Sequence, residues 1–177
     1  MDDDLEILFD RDEIRGLVEG LAERISRDYS GKDLVLVGIL KGAATFLADL
    51  SLAITLPVEL AFIDASSYGS GTTSSGSVQM TGSLDRDVTG RHVLLVDCIV
   101  DTGRTLAALY DLLLAQHPAN VEAAVLLDKR ACRKVEVPVK YVGTEVPDRF
   151  LVGYGLDKDQ QYRNLPYIAA IAEEAKA

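Results

Sequence analysis

Ile14, Leu17, Val18, Leu21, Ala22 and Ile25 recur at the spacing of one helical face, and Gly31 stands where that helix would stop. Residues 34–39 (LVLVGI) form a short unbroken apolar run, the pattern of a strand buried on both faces. Residues 43–54 then return to helical spacing, with Phe46, Leu47, Leu50 and Ile54 on one side. Further strands are predicted over 58–63, 93–96, 121–127 and 139–143, a helix over about 102–114, and a last helix over about 168–176. Residues 66–77 (SSYGSGTTSSGS) interrupt the pattern with almost nothing but Ser, Thr and Gly. Such a stretch buries little apolar area. Because strand patterns resume on both sides, it reads as a mobile internal loop of about 66–82, of the kind that serves as a lid.

Strands alternating with helices predict an α/β protein whose mostly parallel central sheet is flanked by helices on both faces. Its 177 residues suit a single domain over 1–177. In such sheets ligands bind at the carboxyl ends of the strands, here the loops after Ile39, Val96 and Leu127. Charge narrows the partners. The chain carries 28 acidic against 18 basic residues, a net charge of −10, which opposes nucleic acid and anionic lipid. A small anionic substrate then needs a local basic pocket or a metal ion. Cys98 and Cys132 form no C-x-x-C pair and no disulfide framework, which suits a reduced, cytoplasmic setting. The acidic start MDDDLEIL is not a signal peptide, and no apolar run approaches the ~18 residues of a membrane span.

The chemistry concentrates in residues 93–106, VLLVDCIVDTGRTL. Four apolar residues lead to Asp97, and two more lead to Asp101-Thr102-Gly103-Arg104-Thr105 at the start of a helix. A loop opening a helix presents unpaired backbone N–H groups at the positive end of the dipole, and Gly103 and the two threonine hydroxyls suit close approach to a phosphate. An ordinary strand–turn–helix junction capped by threonine would have a similar sequence. Asp97 and Asp101 distinguish the two, since acids beside a phosphate need a ribose, a metal or a base to serve.

This segment resembles the phosphoribosyl pyrophosphate (PRPP) signature of type I phosphoribosyltransferases. From about residue 35 to 168 the chain is similar to the hypoxanthine (hypoxanthine-guanine) phosphoribosyltransferase family. The match includes Leu40-Lys41-Gly42 after the first strand, Ser67-Tyr68, LDKR at 127–130, EVPDRFLVGYGLD at 145–157, and Arg163. The resemblance implies the type I fold with a small hood formed by terminal segments. It also implies Mg²⁺-dependent transfer of the 5-phosphoribosyl group from PRPP to N9 of a 6-oxopurine, in purine salvage. Residues 101–105 would hold the 5′-phosphate. Asp101 would be the general base near purine N7, a role typically worth ~10²–10⁴-fold in rate. Asp97 and Cys98 would face the ribose, although the family usually has a second acid where Cys98 stands, a thiol is a weak acceptor, and a small buried hydrophobe is the favoured alternative for Cys98. Leu40, Lys41, Gly42, Ser67, Tyr68 and Arg163 would contact pyrophosphate. Lys129 would donate to purine O6, Phe150 would stack on the base, and Leu151 would present its backbone to the ring edge. Asp157 and Asp97 would hold the metal. Family resemblance further implies a homodimer or homotetramer.

Competing motifs are missing. There is no G-x-x-x-x-G-K-[ST], no G-x-G-x-x-G opening a helix, no G-x-S-x-G, and His92 and His117 form no H-E-x-x-H pair. A xanthine-preferring enzyme, and a PRPP-binding regulator with weak turnover, stay open as alternatives; Cys98 is the feature that favours the regulator.

Overall fold

The computed structural model describes residues 4–67, 78–80, 84 and 86–172, with side chains left out at residues 66, 67 and 78–80. Its main sheet contains strands β2 (Leu34–Leu40), β3 (Glu59–Ser67), β4 (Val78–Met80), β5 (His92–Val100), β6 (Asn120–Asp128) and β7 (Tyr141–Glu145), in the order β4-β3-β2-β5-β6-β7. The five strands from β3 to β7 run parallel, and only β4 is antiparallel to its neighbour. Helices α1 (Arg11–Asp28) and α2 (Ala44–Ala53) cover one face and α3 (Arg104–Leu114) the other, so the sheet buries two apolar layers. The unbroken hydrophobicity of 34–39 follows, because Leu34 to Val37 alternate between the two layers and none meets water.

Local sequence sets the helix ends. Asp10 caps α1, accepting from the Asp12 and Glu13 N–H groups at 2.9 Å, while Glu13 reaches back to the Asp10 N–H at 2.8 Å. This reciprocal capping box satisfies donors that would otherwise go unpaired. Buried Ile14, Val18, Leu21, Ala22 and Ile25 form the inward stripe of α1.

A second, antiparallel sheet in the order β1-β9-β8 joins β1 (Leu5–Phe9), β8 (Leu151–Val152) and β9 (Ile168–Ile171). It is the hood made by segments near the two ends of the chain. Here the sequence reading is corrected. Residues 168–171 (IAAI) form a strand, not the start of a last helix, and residues 173–176 of that helix lie outside the described set. Ala169 and Ala170 pair with β1 on one side and with β8 on the other, and that tertiary pairing overrides the helical propensity of alanine. Strand β5 also runs four residues beyond the predicted end at Val96, so Asp97 and Cys98 lie within a strand rather than a loop.

Candidate active site

The carboxyl ends of β2, β3 and β5, the start of α3 and the segment before β9 enclose a cleft of about 520 Å³. Leu40, Lys41, Gly42, Asp97, Thr105, Asp157 and Arg163 line it, together with Asp64, Ile99, Leu156 and Gln160. Seven residues singled out from distant parts of the sequence therefore meet around one space. The parallel register explains the meeting. Leu40 pairs with Asp64, and Gly38 with Val96, so the strand ends emerge side by side.

On the β2 side, the Leu40–Lys41 peptide is cis. The Lys41 ammonium points across the cleft to Gln160 Oε1 at 3.4 Å. Arg163 meets the same oxygen through Nη2 at 3.3 Å, pairs with Asp157 Oδ1 at 2.7 Å, and donates through Nη1 to the Gly155 carbonyl at 2.6 Å. The two cations expected at pyrophosphate thus share one neutral acceptor, and the expected metal ligand Asp157 is ion-paired with Arg163. Gly155 (φ +98°) makes this arrangement possible, since a Cβ there would lie 2.3 Å from the Gly42 carbonyl oxygen.

At β5, Asp97 and Ile99 line the cleft while Cys98 turns to the opposite face. Cys98 is fully buried in the core cluster with Leu94 and Val96, and its thiol contacts the Tyr154 carbonyl at 3.7 Å. Burial, and then the nearby Asp97 carboxylate, push the thiol's pKa well above its usual range. Of the two readings of Cys98, its burial agrees with the small core residue and not with the ribose contact, and the feature that favoured a regulator does not reach the cleft. Asp97 Oδ1 accepts from the Cys98 N–H at 2.8 Å. Burial raises the Asp97 pKa to about 7, against the lowering effect of the Cys98 and Ile99 N–H groups.

Val100 pairs in register with Asp128, and the Lys129 N–H donates to the Val100 carbonyl at 2.9 Å. Asp101 and Lys129 consequently leave the sheet as neighbours. Asp101 is exposed, whereas Lys129 is only 8% exposed, and among the described residues no hydrogen bond or ion pair holds its ammonium. Helix α3 begins at Arg104 with Gly103 as its N-cap; Gly103 supplies no side-chain cap, and the Thr102 hydroxyl accepts from the Arg104 N–H at 3.5 Å. Gly103 has φ +83°, and a Cβ would lie 2.4 Å from the Val135 carbonyl oxygen. Glycine is required there by its neighbour as well as by its backbone. Thr102 and Arg104 are part-buried beside it, and Arg104 has a partner.

Phe150 is 56% exposed, although Leu151, Val152 and Tyr154 around it are buried. In an FLVGY run, one aromatic is therefore held out of the core. The Phe150 carbonyl accepts from Ile171 at 3.0 Å, and Leu151 pairs with Ala170. Cys132 lies near both carboxylates of this region: Asp148, then burial, then Asp101 push its thiol pKa up to about 12. Ser67 ends β3, while Tyr68 and most of the expected lid, 66–82, lie outside the described residues.

The donor set suits a hard divalent ion in part. Asp64, Asp97 and Asp157 offer carboxylates to one cleft, but among the described residues no three His, Cys, Asp or Glu side chains come close enough to hold a metal by themselves. Mg²⁺ fits that pattern, as it commonly takes one or two carboxylates and completes its shell with water and substrate phosphates.

Sequence reasoning missed Asp64, Gln160 and Arg133. Asp64 was readable as the first charge after the apolar stretch of β3. Gln160 and Arg133 carried no signal, because their partners are brought to them only by the fold.

The phosphoribosyl transferase domain model matches residues 5–159. The chain is 43% identical over 173 residues to the hypoxanthine phosphoribosyltransferase of Haemophilus influenzae, covering 96% of this chain and 97% of that protein. It is 44% identical over 168 residues to the hypoxanthine-guanine phosphoribosyltransferase of Streptococcus pneumoniae, covering 95% and 93%. Among solved structures, a hypoxanthine phosphoribosyltransferase from Staphylococcus aureus superposes with a TM-score of 0.91 at 41% identity, covering 97% of this chain and 94% of that one.

Proposed function

The chain belongs to the phosphoribosyl transferase family, and we propose that it is a purine-salvage hypoxanthine phosphoribosyltransferase acting through the cleft at residues 97–105. It transfers the 5-phosphoribosyl group from PRPP to N9 of hypoxanthine or guanine, giving IMP or GMP and pyrophosphate. The N9–C1′ bond forms as the bond from C1′ to the pyrophosphate oxygen breaks, and the base gives up a proton. The observation that carries this reading is the in-register exit of Asp101 and Lys129 beside a glycine-started helix. On one edge of a 6-oxopurine, N7 presents to a base and O6 to a donor, so a neighbouring carboxylate and ammonium match that edge.

In this reading Asp101 accepts the N7 proton. Lys129 donates to O6, and having no acceptor of its own, it favours an oxo over an amino group. Phe150, held out of the core, stacks on the ring, and Leu151 borders the ring edge. Residues 101–105 grip the 5′-phosphate. Asp97 accepts from the ribose hydroxyls. Lys41, the flanking Leu40 and Gly42, Ser67, Tyr68 and Arg163 take the pyrophosphate. Asp157 and Asp97 would hold Mg²⁺, which when bound neutralises phosphate charge. The net charge of −10 makes such local compensation necessary. Homodimer or homotetramer formation belongs to the same reading, and exposed Leu60 and Phe62 on β3 offer apolar surface for it. A cytoplasmic setting agrees with the two free cysteines.

The test is incubation with PRPP, Mg²⁺ and, separately, hypoxanthine, guanine or xanthine, with nucleotide and pyrophosphate measured. Nucleotide is expected from the first two bases and is expected to vanish in excess EDTA. No turnover with any base would overturn the proposal, and turnover with xanthine alone would replace the substrate.

A further inference from the structure

Behind the cleft, Arg133 makes two contacts that its place in the sequence does not suggest. Its Nη2 pairs with Asp128 Oδ1, and both side chains are almost fully buried, at 7% and 3% exposed. Its Nε donates to the Asp101 main-chain carbonyl at 3.2 Å. Asp128 ends β6, immediately before Lys129, and Asp101 follows β5. One guanidinium therefore joins the backbone of the proposed base to the strand that delivers the proposed O6 donor. The residues after Arg133 strengthen the link, since the Lys134 and Val135 N–H groups both donate to the Thr102 carbonyl at 3.0 Å. A planar fork with several fixed donors can meet two acceptors at once, which a single ammonium on a flexible stem does less well.

Resting on the function proposed above, we propose that Arg133 is a positioning residue for Asp101. N7 and O6 lie a fixed distance apart on one rigid base. Asp101 and Lys129 must keep a matching separation although they follow different strands, one exposed and one buried. Backbone pairing fixes the strands only as far as Val100 and Asp128. Beyond that point Arg133 sets the direction in which Asp101 leaves the sheet, and the Asp128 carboxylate holds the guanidinium in place. Misplacement of a reacting group by about 1 Å can cost on the order of 100-fold in rate.

The experiment compares Arg133→Lys, Asp101→Asn and the double variant, measuring kcat, the KM for hypoxanthine and thermal unfolding. Lysine can keep the charge pairing with Asp128, so Arg133→Lys is expected to unfold cooperatively. Its kcat is expected to fall on the order of 10- to 100-fold. Because the effect passes through Asp101, adding Arg133→Lys to Asp101→Asn should lower turnover less than about twofold further, a non-additivity that general loosening would not give. Wild-type kcat in Arg133→Lys would overturn the proposal. So would an equal loss in both backgrounds, while leaving Asp101 as the base. Undiminished kcat in Asp101→Asn would instead remove the base assignment, and the role of Arg133 with it. If Arg133→Lys does not fold, Arg133→Gln, a neutral donor, replaces it under the same criteria.

Discussion

Gly103→Ala separates two costs that the structure distinguishes by position. Gly103 has φ +83°, where an alanine pays about 1–2 kcal/mol for the left-handed backbone. Its Cβ would also lie 2.4 Å from the Val135 carbonyl oxygen and 2.9 Å from Arg133 Cδ. The nearer atom is backbone, so relief requires the 101–103 and 133–135 segments to part, which costs a further ~1–3 kcal/mol by analogy with overpacking. Gly31 supplies the control, because it has φ +74° and open space where its Cβ would go. The sums are about 2–5 kcal/mol for Gly103→Ala and about 1–2 kcal/mol for Gly31→Ala. For a chain of this length, about 2–4 °C per kcal/mol puts the melting losses near 4–20 °C and 2–8 °C. Calorimetry on both variants measures the difference. Parting the segments also breaks the Lys134 and Val135 hydrogen bonds to Thr102, so only Gly103→Ala should raise the KM for PRPP, by about tenfold or more. Equal melting temperatures for the two variants, with an unchanged PRPP KM, would refute the reasoning.

Asp97 should give stability a pH slope. Burial raises its native pKa to about 7 from 3.8, so between those values the native state binds the extra proton. The stability this contributes is complete below about pH 4 and is lost as pH rises through about 7, at most about 4 kcal/mol in all. Asp97→Asn should remove that part of the slope in melting curves from pH 5 to 8, and an unchanged slope would count against the buried carboxylate as its source. Lys129→Met should cut kcat/KM for hypoxanthine by roughly 10- to 150-fold, the worth of a charged hydrogen bond of about 1.5–3 kcal/mol. It should leave the melting temperature equal or higher, since a largely buried side chain whose ammonium has no partner among the described residues is exchanged for an apolar one. Steady-state kinetics and calorimetry on the one variant check both halves.

What the sequence disclosed and what it hid divide along physical lines. The runs at 34–39 and 93–96 were legible because a strand buried on both faces is apolar throughout, and 121–127 because only the half-buried Glu122 near its start interrupts six apolar residues. The proposed phosphate loop could be picked out because its five candidate residues, 101–105, are consecutive. The segment IAAI at 168–171 was misread as helical because its strand character comes from β1 and β8, whose paired residues lie 17 to 166 positions away in the chain. The capping box Asp10–Glu13 was present in the sequence and fixes where α1 starts, yet β1 just before it, with charged and apolar residues mixed, showed no strand period.

Cys98 shows how a strand boundary decides between two chemical readings of one residue. If β5 ends at Val96, Asp97 and Cys98 are loop neighbours and both can face a ribose. Because β5 continues to Val100, pleating sends adjacent side chains to opposite faces: Asp97 and Ile99 to the cleft, Cys98 to the core with Leu94 and Val96. The same pleat makes the pair Asp101 and Lys129 invisible to any reading of one segment at a time. Their adjacency depends on the register of β5 against β6, which the two apolar layers enforce, since a slip of one residue would turn Leu126 and Ala124 out of the layer they share with Leu94 and Val96. The spacing of the proposed base and O6 donor is therefore set by core packing, with Arg133 in its proposed role carrying that spacing one residue past the end of the sheet.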